Sequence, residues 1–207
     1  MYSDLKRLVS TLDVPYTIMT SNADQLFAQS GFDPERIFTP QGCYARFQCL
    51  AACTPDSFFD SKPWIERALP HLDLLDPRIP TDKPELIPSC EKCGGAVFLN
   101  VRGGDWFLET AYLGAEQRYK SQVEEMFRTA EAQNKRVLVL ELGSGFNTPS
   151  VIRYPSEMLA ERADLVRVNL QHPEIHSQVE GRGYKMGAGE FLAACVGGLQ
   201  GRKREAA

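Results

Sequence analysis

Stretches with apolar residues at helical spacing alternate along this chain with short apolar runs of strand type. Tyr2 to Leu12 carries Leu5, Leu8 and Leu12 on one helical face, and Tyr16-Thr17-Ile18-Met19-Thr20 follows as a β-rich run. Ala23 to Ser30 reads as a helix stopped by Gly31, and Arg36-Ile37-Phe38 as the next strand. Farther on, 114–134 reads as an amphipathic helix, Val137 to Leu142 as a buried strand, and 148–163 as a helix containing Pro155. Leu165 to Leu170 is a further strand and Gly187 to Gly197 a final helix. This order predicts an α/β fold, a mostly parallel sheet covered on both faces.

From Cys49 to Gly95 the pattern breaks. Prolines at 55, 63, 70, 77, 80, 84 and 88 interrupt any long element and leave room for one helix near Trp64 to Leu75. Two close cysteine pairs frame this stretch, Cys49/Cys53 and Cys90/Cys93. Cys90-Glu91-Lys92-Cys93-Gly94-Gly95 is a zinc-knuckle pattern, in which two thiolates bend onto one ion and glycines allow the turn behind them. The first pair is one residue looser and still within the range of structural zinc ligands. Buried apolar cysteines are the alternative reading, and Cys43 is near enough to compete as a ligand. A disulfide framework fits less well, because the chain shows no secretory leader and is too long for a stapled mini-domain, and Cys43 and Cys195 follow no evident pattern. Thiol pairs of this kind point to a reducing, intracellular, cytoplasmic setting. The expected division is an α/β domain over 1–42 and 96–200, a zinc-binding lobe over 43–95, and a solvated basic tail over 201–207.

Composition narrows the function classes. A chain of 207 residues buries about 70% of its unfolded surface, enough for one substantial core beside the lobe. The formal net charge of −4 argues against nucleic acid as a partner, and no apolar run approaches a membrane span.

In a parallel sheet the chemistry belongs in the loops leaving the carboxyl ends of the strands. Thr20-Ser21-Asn22-Ala23-Asp24 follows the first strand, where a helix cap by Ser21 or Asn22 is the plain alternative. Gly143-Ser144-Gly145-Phe146-Asn147-Thr148-Pro149 follows the strand ending at Leu142. Its glycines let backbone amides approach an anion at a helix start, although an ordinary turn capped by Thr148 explains it as well. Asn169, at a strand end, either meets a ribose or begins a turn.

Taken in this order and at these distances, the pieces resemble the sirtuin family. Its macrodomain-linked class is similar in Gly31 to Phe38, in Gln41-Gly42 with Phe47-Gln48-Cys49, and in Glu141-Leu142-Gly143 through Phe146-Asn147-Thr148-Pro149 to Ile152-Arg153-Tyr154-Pro155. The resemblance implies a Rossmann-like NAD-binding domain with a zinc ribbon beside it. By position, Ser21, Asn22 and Asp24 would meet the nicotinamide and its ribose. Gly143, Ser144 and Asn147 would meet the phosphates or second ribose, and Asn169 the adenosine side. Cys49, Cys53, Cys90 and Cys93 would hold a structural Zn²⁺.

Two departures shape the implied chemistry. Sirtuins place a general-base histidine where this chain has Gln41, and an amide takes no proton near neutral pH, so deacylation is disfavoured. The macrodomain-linked class shares the glutamine, which implies NAD-dependent protein ADP-ribosyl transfer with Asn22 and Gln41 as the catalytic residues. The implied partners are a lipoylated carrier protein as acceptor and a macrodomain hydrolase. The family's opening strand and Gly-Ala-Gly turn have no counterpart before Met1, which implies a sheet truncated at its amino-terminal end. Gly187-Ala188-Gly189 reads as helix packing rather than a relocated phosphate loop. A zinc-stabilised interaction module without catalysis is the competing expectation.

Overall fold

The computed structural model describes residues 1–73, 75–76 and 82–205, with side chains up to residue 199. Pro77 and Pro80 of the proline-rich stretch lie outside the described residues. In chain order, the first elements are α1 (Tyr2–Leu12), β1 (Ile18–Met19), α2 (Leu26–Gln29), β2 (Ile37–Phe38), β3 (Gly42–Cys49) and β4 (Phe58–Asp60). Next come α3 (Lys62–Ala68), β5 (Val97–Val101), α4 (Leu113–Ala132), β6 (Leu138–Leu142) and α5 (Arg153–Leu159). β7 (Asp164–Val168), β8 (Gly181–Tyr184) and α6 (Ala188–Glu205) complete the order.

The chain forms two compact units. The first comprises Met1–Thr20, Leu26–Phe38 and the chain from Ala115 onward, and the second Ser21–Gln25 with Thr39–Gly114. The first unit is the α/β part. Its β1 and β2 pair in parallel through Ile18 with Ile37 and Met19 with Phe38. A separate parallel sheet runs β6-β7-β8, with Leu138 opposite Asp164 and Leu165 opposite Gly181. The buried centre of this unit includes Leu165, Val168 and Leu192, the last on α6. α1 packs against α6, and a Cβ at Gly189 would stand 3.9 Å from Met1 Cβ, an ordinary contact. That agrees with a packing role for the Gly187-Ala188-Gly189 triplet.

Several elements differ from their predicted extents for identifiable reasons. β8 went unpredicted because Gly181-Arg182-Gly183-Tyr184 has no apolar run. Its glycines answer to close backbone approach: a Cβ at Gly183 would fall 2.0 Å from the Pro173 carbonyl oxygen. α5 spans only Arg153–Leu159 instead of 148–163. Thr148 and Pro149 form turns ahead of it, with Val151 N–H donating to Thr148 O at 3.1 Å and Tyr154 N–H to Pro149 O at 2.9 Å. Pro155 sits in the first turn, where a missing N–H costs nothing. α6 runs past Gly197 to Glu205, taking in the start of the expected tail.

The second unit carries an antiparallel sheet in the order β4-β3-β5. β3 bulges between Gly42 and Phe47, and Phe47 packs edge-on against Trp64 at 5.4 Å. The predicted helix near Trp64 is α3, followed by a tight 3₁₀ turn over Leu69–His71, where Pro70 ends regular α-helix. Gln48 and Asn100, both fully buried, cross-link the sheet to the segment that follows it. Asn100 donates to Gln48 Oε1 at 2.6 Å, and Gln48 donates to Trp106 O at 2.8 Å.

Candidate functional site

The four paired cysteines converge. Their sulfurs all lie within 4.8 Å of one another, with Cys49 Sγ to Cys93 Sγ at 3.7 Å and Cys53 Sγ to Cys90 Sγ at 3.8 Å. A tetrahedral ion with Zn–S bonds of about 2.3 Å requires edges of about 3.8 Å, so this geometry fits zinc. The backbone builds it locally. Gly94 N–H donates to Cys90 O and Cys90 N–H to Gly95 O, both at 2.8 Å, with Gly94 at φ 70° closing the knuckle. The Cys53 amide draws the Cys49 thiol down to about 7. At Cys93 the Gly95 amide also pulls down, but the sulfurs of Cys53, Cys49 and Cys90 prevail and push it up to about 12. Sulfurs this close resist sharing negative charge unless a cation sits among them. Cys43 is buried at the other end of β3 and Cys195 lies on α6, so neither joins the group, and all six cysteines are free thiols.

Gln41 stands half-buried immediately before β3. Its carbonyl accepts the Arg102 N–H at 2.9 Å, and Gly42 N–H donates to Thr39 O at 3.0 Å, which fixes the turn. Gly42 has φ 90°, and a Cβ there would meet Asn100 O at 2.2 Å, so only glycine lets this turn cross β5. The segment holding Ser21 and Asn22, both exposed, and half-buried Asp24 is tied to the same strand: Tyr44 N–H donates to Ala23 O at 3.0 Å. The structure therefore brings the Asn22 motif and Gln41 onto one strand end within the second unit.

Gly143, Ser144 and Asn169 come together in the first unit, at the carboxyl ends of β6 and β7. Gly143 adopts φ 73° with open space where a Cβ would stand, and its N–H donates to Val168 O at 2.9 Å. Asn169 Nδ2 donates to Ser144 O at 2.6 Å, while its Oδ1 accepts Gln171 N–H at 2.8 Å and His172 N–H at 3.0 Å. Asn169 thus straps the two loops together. Asn147 is exposed on the first of them. Because α5 begins at Arg153, no helix amino terminus faces this loop in the way the 148–163 reading required.

Beneath the loops lies a charged group that the sequence reading did not single out. Glu141 and Arg167 are directly opposite on β6 and β7, fully buried, and joined by Arg167 Nε to Glu141 Oε1 at 2.6 Å and Nη2 to Oε2 at 2.8 Å. Arg167 also donates to Glu157 at 2.9 Å and to Glu174 O at 2.7 Å. Burial opposes its charge, but Glu141 and then Glu157 outweigh that and raise its pKa. Arg153, itself buried, donates to His172 O at 3.0 Å and Glu174 O at 2.8 Å and lies over the Phe146 ring at 4.3 Å. The signal was available: one acid and one base inside otherwise apolar strands demand each other.

No protein-family model matches the chain. Solved Sir2 structures do match its fold. A Sir2 homologue in complex with NAD superposes with a TM-score of 0.58 at 16% identity, covering 97% of this chain and 64% of that one. A Sir2 protein bound to a myristoylated histone peptide gives 0.53 at 19% identity, covering 99% and 72%. The chain has the sirtuin fold, as its motifs indicated. Two curated proteins are similar in sequence. One is a probable bifunctional ADP-ribose hydrolase/ADP-ribosyltransferase of Fusarium oxysporum f. sp. cubense, 36% identical over 189 residues, covering 89% of this chain and 30% of that protein. The other is a protein ADP-ribosyltransferase of Staphylococcus aureus, 29% identical over 163 residues, covering 78% and 47%. The chain thus spans less than half the length of these curated relatives.

Proposed function

We propose that this chain carries the sirtuin part of an NAD-dependent protein ADP-ribosyltransferase. The observation that carries this reading is Gln41. A side chain able to hydrogen-bond but not to take a proton stands half-buried at the head of β3, tied to the Asn22 segment, in a chain 36% identical to a protein named as an ADP-ribosyltransferase. Among the described residues, the open, left-handed Gly143 and the loop after it suit close approach of a nucleotide to backbone. NAD, when bound, supplies the ADP-ribosyl group and nicotinamide as leaving group.

The chain's own residues then have limited tasks. Asn22, with Ser21 and Asp24, orients the nicotinamide end, and Gln41 hydrogen-bonds the neighbouring ribose without titrating. Gly143, Ser144 and Asn147 approach phosphate or ribose groups, with Asn169 fixing the loops that present them. A nucleophile on the acceptor protein makes the new bond; the family resemblance points to a lipoylated carrier protein. A macrodomain hydrolase is its fitting partner, since one relative is named for both activities. Cys49, Cys53, Cys90 and Cys93 hold zinc, which builds the lobe and does not touch the reaction.

The test is transfer from labelled NAD to a lipoylated carrier protein, followed by mass spectrometry, for the chain and its Asn22→Ala variant. Labelling lost in the variant supports the reading. Labelling that persists at the wild-type rate overturns the role of Asn22.

A further inference from the structure

A groove of about 430 Å³ lies on the first unit, between the outer stripe of α5 and the 176–179 turn. Tyr154, Glu157, Met158 and Glu161 line one side at i, i+3, i+4 and i+7, the spacing of a single helical face. Glu161 lies just past the end of α5, where its N–H donates to Met158 O at 3.3 Å and carries the winding one step on. His176 and Val179 stand on the other side, with Val179 N–H donating to His176 O at 2.9 Å. The apolar surface of this face is open to solvent: Met158 is 70% exposed and Tyr154 49%.

Its charge is one-sided. Among the described residues that line the groove, none is lysine or arginine. Arg153 and Arg167 turn their donors inward, to Glu141, Glu157 and the carbonyls of His172 and Glu174. Arg162, next in the chain to Glu161, is taken by Glu124 of α4 at 3.1 Å. Glu157 gives Oε1 to Arg167, and its Oε2 takes no hydrogen bond among the described residues. Glu161 is exposed and makes no ion pair among them. A metal ion does not fit, because among the described residues only the four cysteine sulfurs gather closely enough to hold one.

We propose that this groove docks a basic amphipathic segment of another protein. Arginine or lysine heads meet Glu157 and Glu161, and an apolar side chain between them rests on Tyr154 and Met158. Arginine suits the face best, since its guanidinium pairs with a carboxylate through two donors and stacks on an aromatic ring such as that of Tyr154. Met158 is the adaptable contact, an unbranched side chain that fits partners of different shape. A small organic cation would need an enclosure that this open face does not give. The net charge of −4 favours approach of a basic partner. None of these residues has a task in the transfer reaction, so the proposal stands apart from the nucleotide reading.

The probe is a fluorescein-labelled helical peptide with arginines at i and i+4 beside a leucine, titrated into the full chain and followed by anisotropy. Its counterpart carries glutamate in place of both arginines. Wild type should bind the arginine peptide saturably and the glutamate peptide at least about 10-fold more weakly. Glu161→Lys reverses one exposed carboxylate and Met158→Ser removes the apolar contact; each should weaken binding by about 5-fold or more. Glu66→Lys makes the same charge change in the second unit and should alter affinity by less than about 2-fold. All three positions are exposed, where substitutions leave folding intact. An arginine peptide that does not saturate overturns the proposal. So does weakening by Glu66→Lys equal to that by Glu161→Lys, which would mark attraction to the net charge alone. Spermine binding at the same strength, indifferent to Met158→Ser, would assign the groove to a small polycation, and wild-type dimers that Glu161→Lys dissolves would assign it to a second copy; either result also overturns it.

Discussion

Gln41 differs from a catalytic histidine in one property that rate measurements can detect: it has no proton to gain or lose between about pH 6 and 8. ADP-ribosyl transfer should therefore show no acidic limb near pH 6.5, where an imidazole base would impose one. A limb at that position would point to a titrating base elsewhere in the site. Gln41→Ala should lower the transfer rate by about 10-fold or more, the scale of a lost transition-state hydrogen bond. Beside it, Gly42 is fixed by geometry: Gly42→Ala places a Cβ 2.2 Å from Asn100 O at a φ of 90°. That should cost about 2–4 kcal/mol in urea unfolding, and an unaffected midpoint would show that the turn relaxes. Tyr112 adds a pH effect of known sign. Burial pushes its phenol up to about 12 from 10.0, with Arg46 pulling the other way. The folded state thus favours the protonated phenol, and this stability is complete below pH 10 and lost as pH climbs through about 12. The loss should amount to about 2–3 kcal/mol. Urea unfolding of wild type and Tyr112→Phe across that window should show a shallower fall in the variant.

Among the elements, the four-cysteine cluster is where a dependence on a ligand is expected. Both tryptophans, Trp64 and Trp106, belong to the second unit, so tryptophan fluorescence reports on that unit alone. Chelation of zinc, or Cys90→Ser, should shift this emission to the red and release about one ion per chain. An unchanged spectrum with full loss of metal would mean that the lobe holds its fold through the Phe47–Trp64 contact and the Gln48–Asn100 bonds alone. The convergence of the four cysteines was legible because ligand spacing is written directly in sequence, as were α1 and α4 with their apolar faces. β8 was not, since glycines needed for approach to Pro173 look like loop. α5 was misjudged because Thr148-Pro149 carries the same signals whether a helix or a turn follows. β3, Gly42 to Cys49, lacks a clean apolar alternation because it bulges between Gly42 and Phe47. The candidate site was readable as separate motifs, Asn22, Gln41 and the Gly143 loop. The Glu141–Arg167 pair was readable only as an acid and a base inside apolar strands, and that they face each other follows from the register of β6 and β7.

Across the whole molecule, the sirtuin fold organises two sets of residues, the Asn22–Gln41 strand end in one unit and the Gly143–Asn169 loops in the other. Among the described residues no helix is long and apolar enough to cross a membrane. Titration calorimetry with NAD tests the proposed transferase function most directly. Saturable binding is the predicted result, weakened by substitution of Asn22 and, separately, of Ser144. Heats no different from dilution would contradict it, and so would binding that neither substitution weakens.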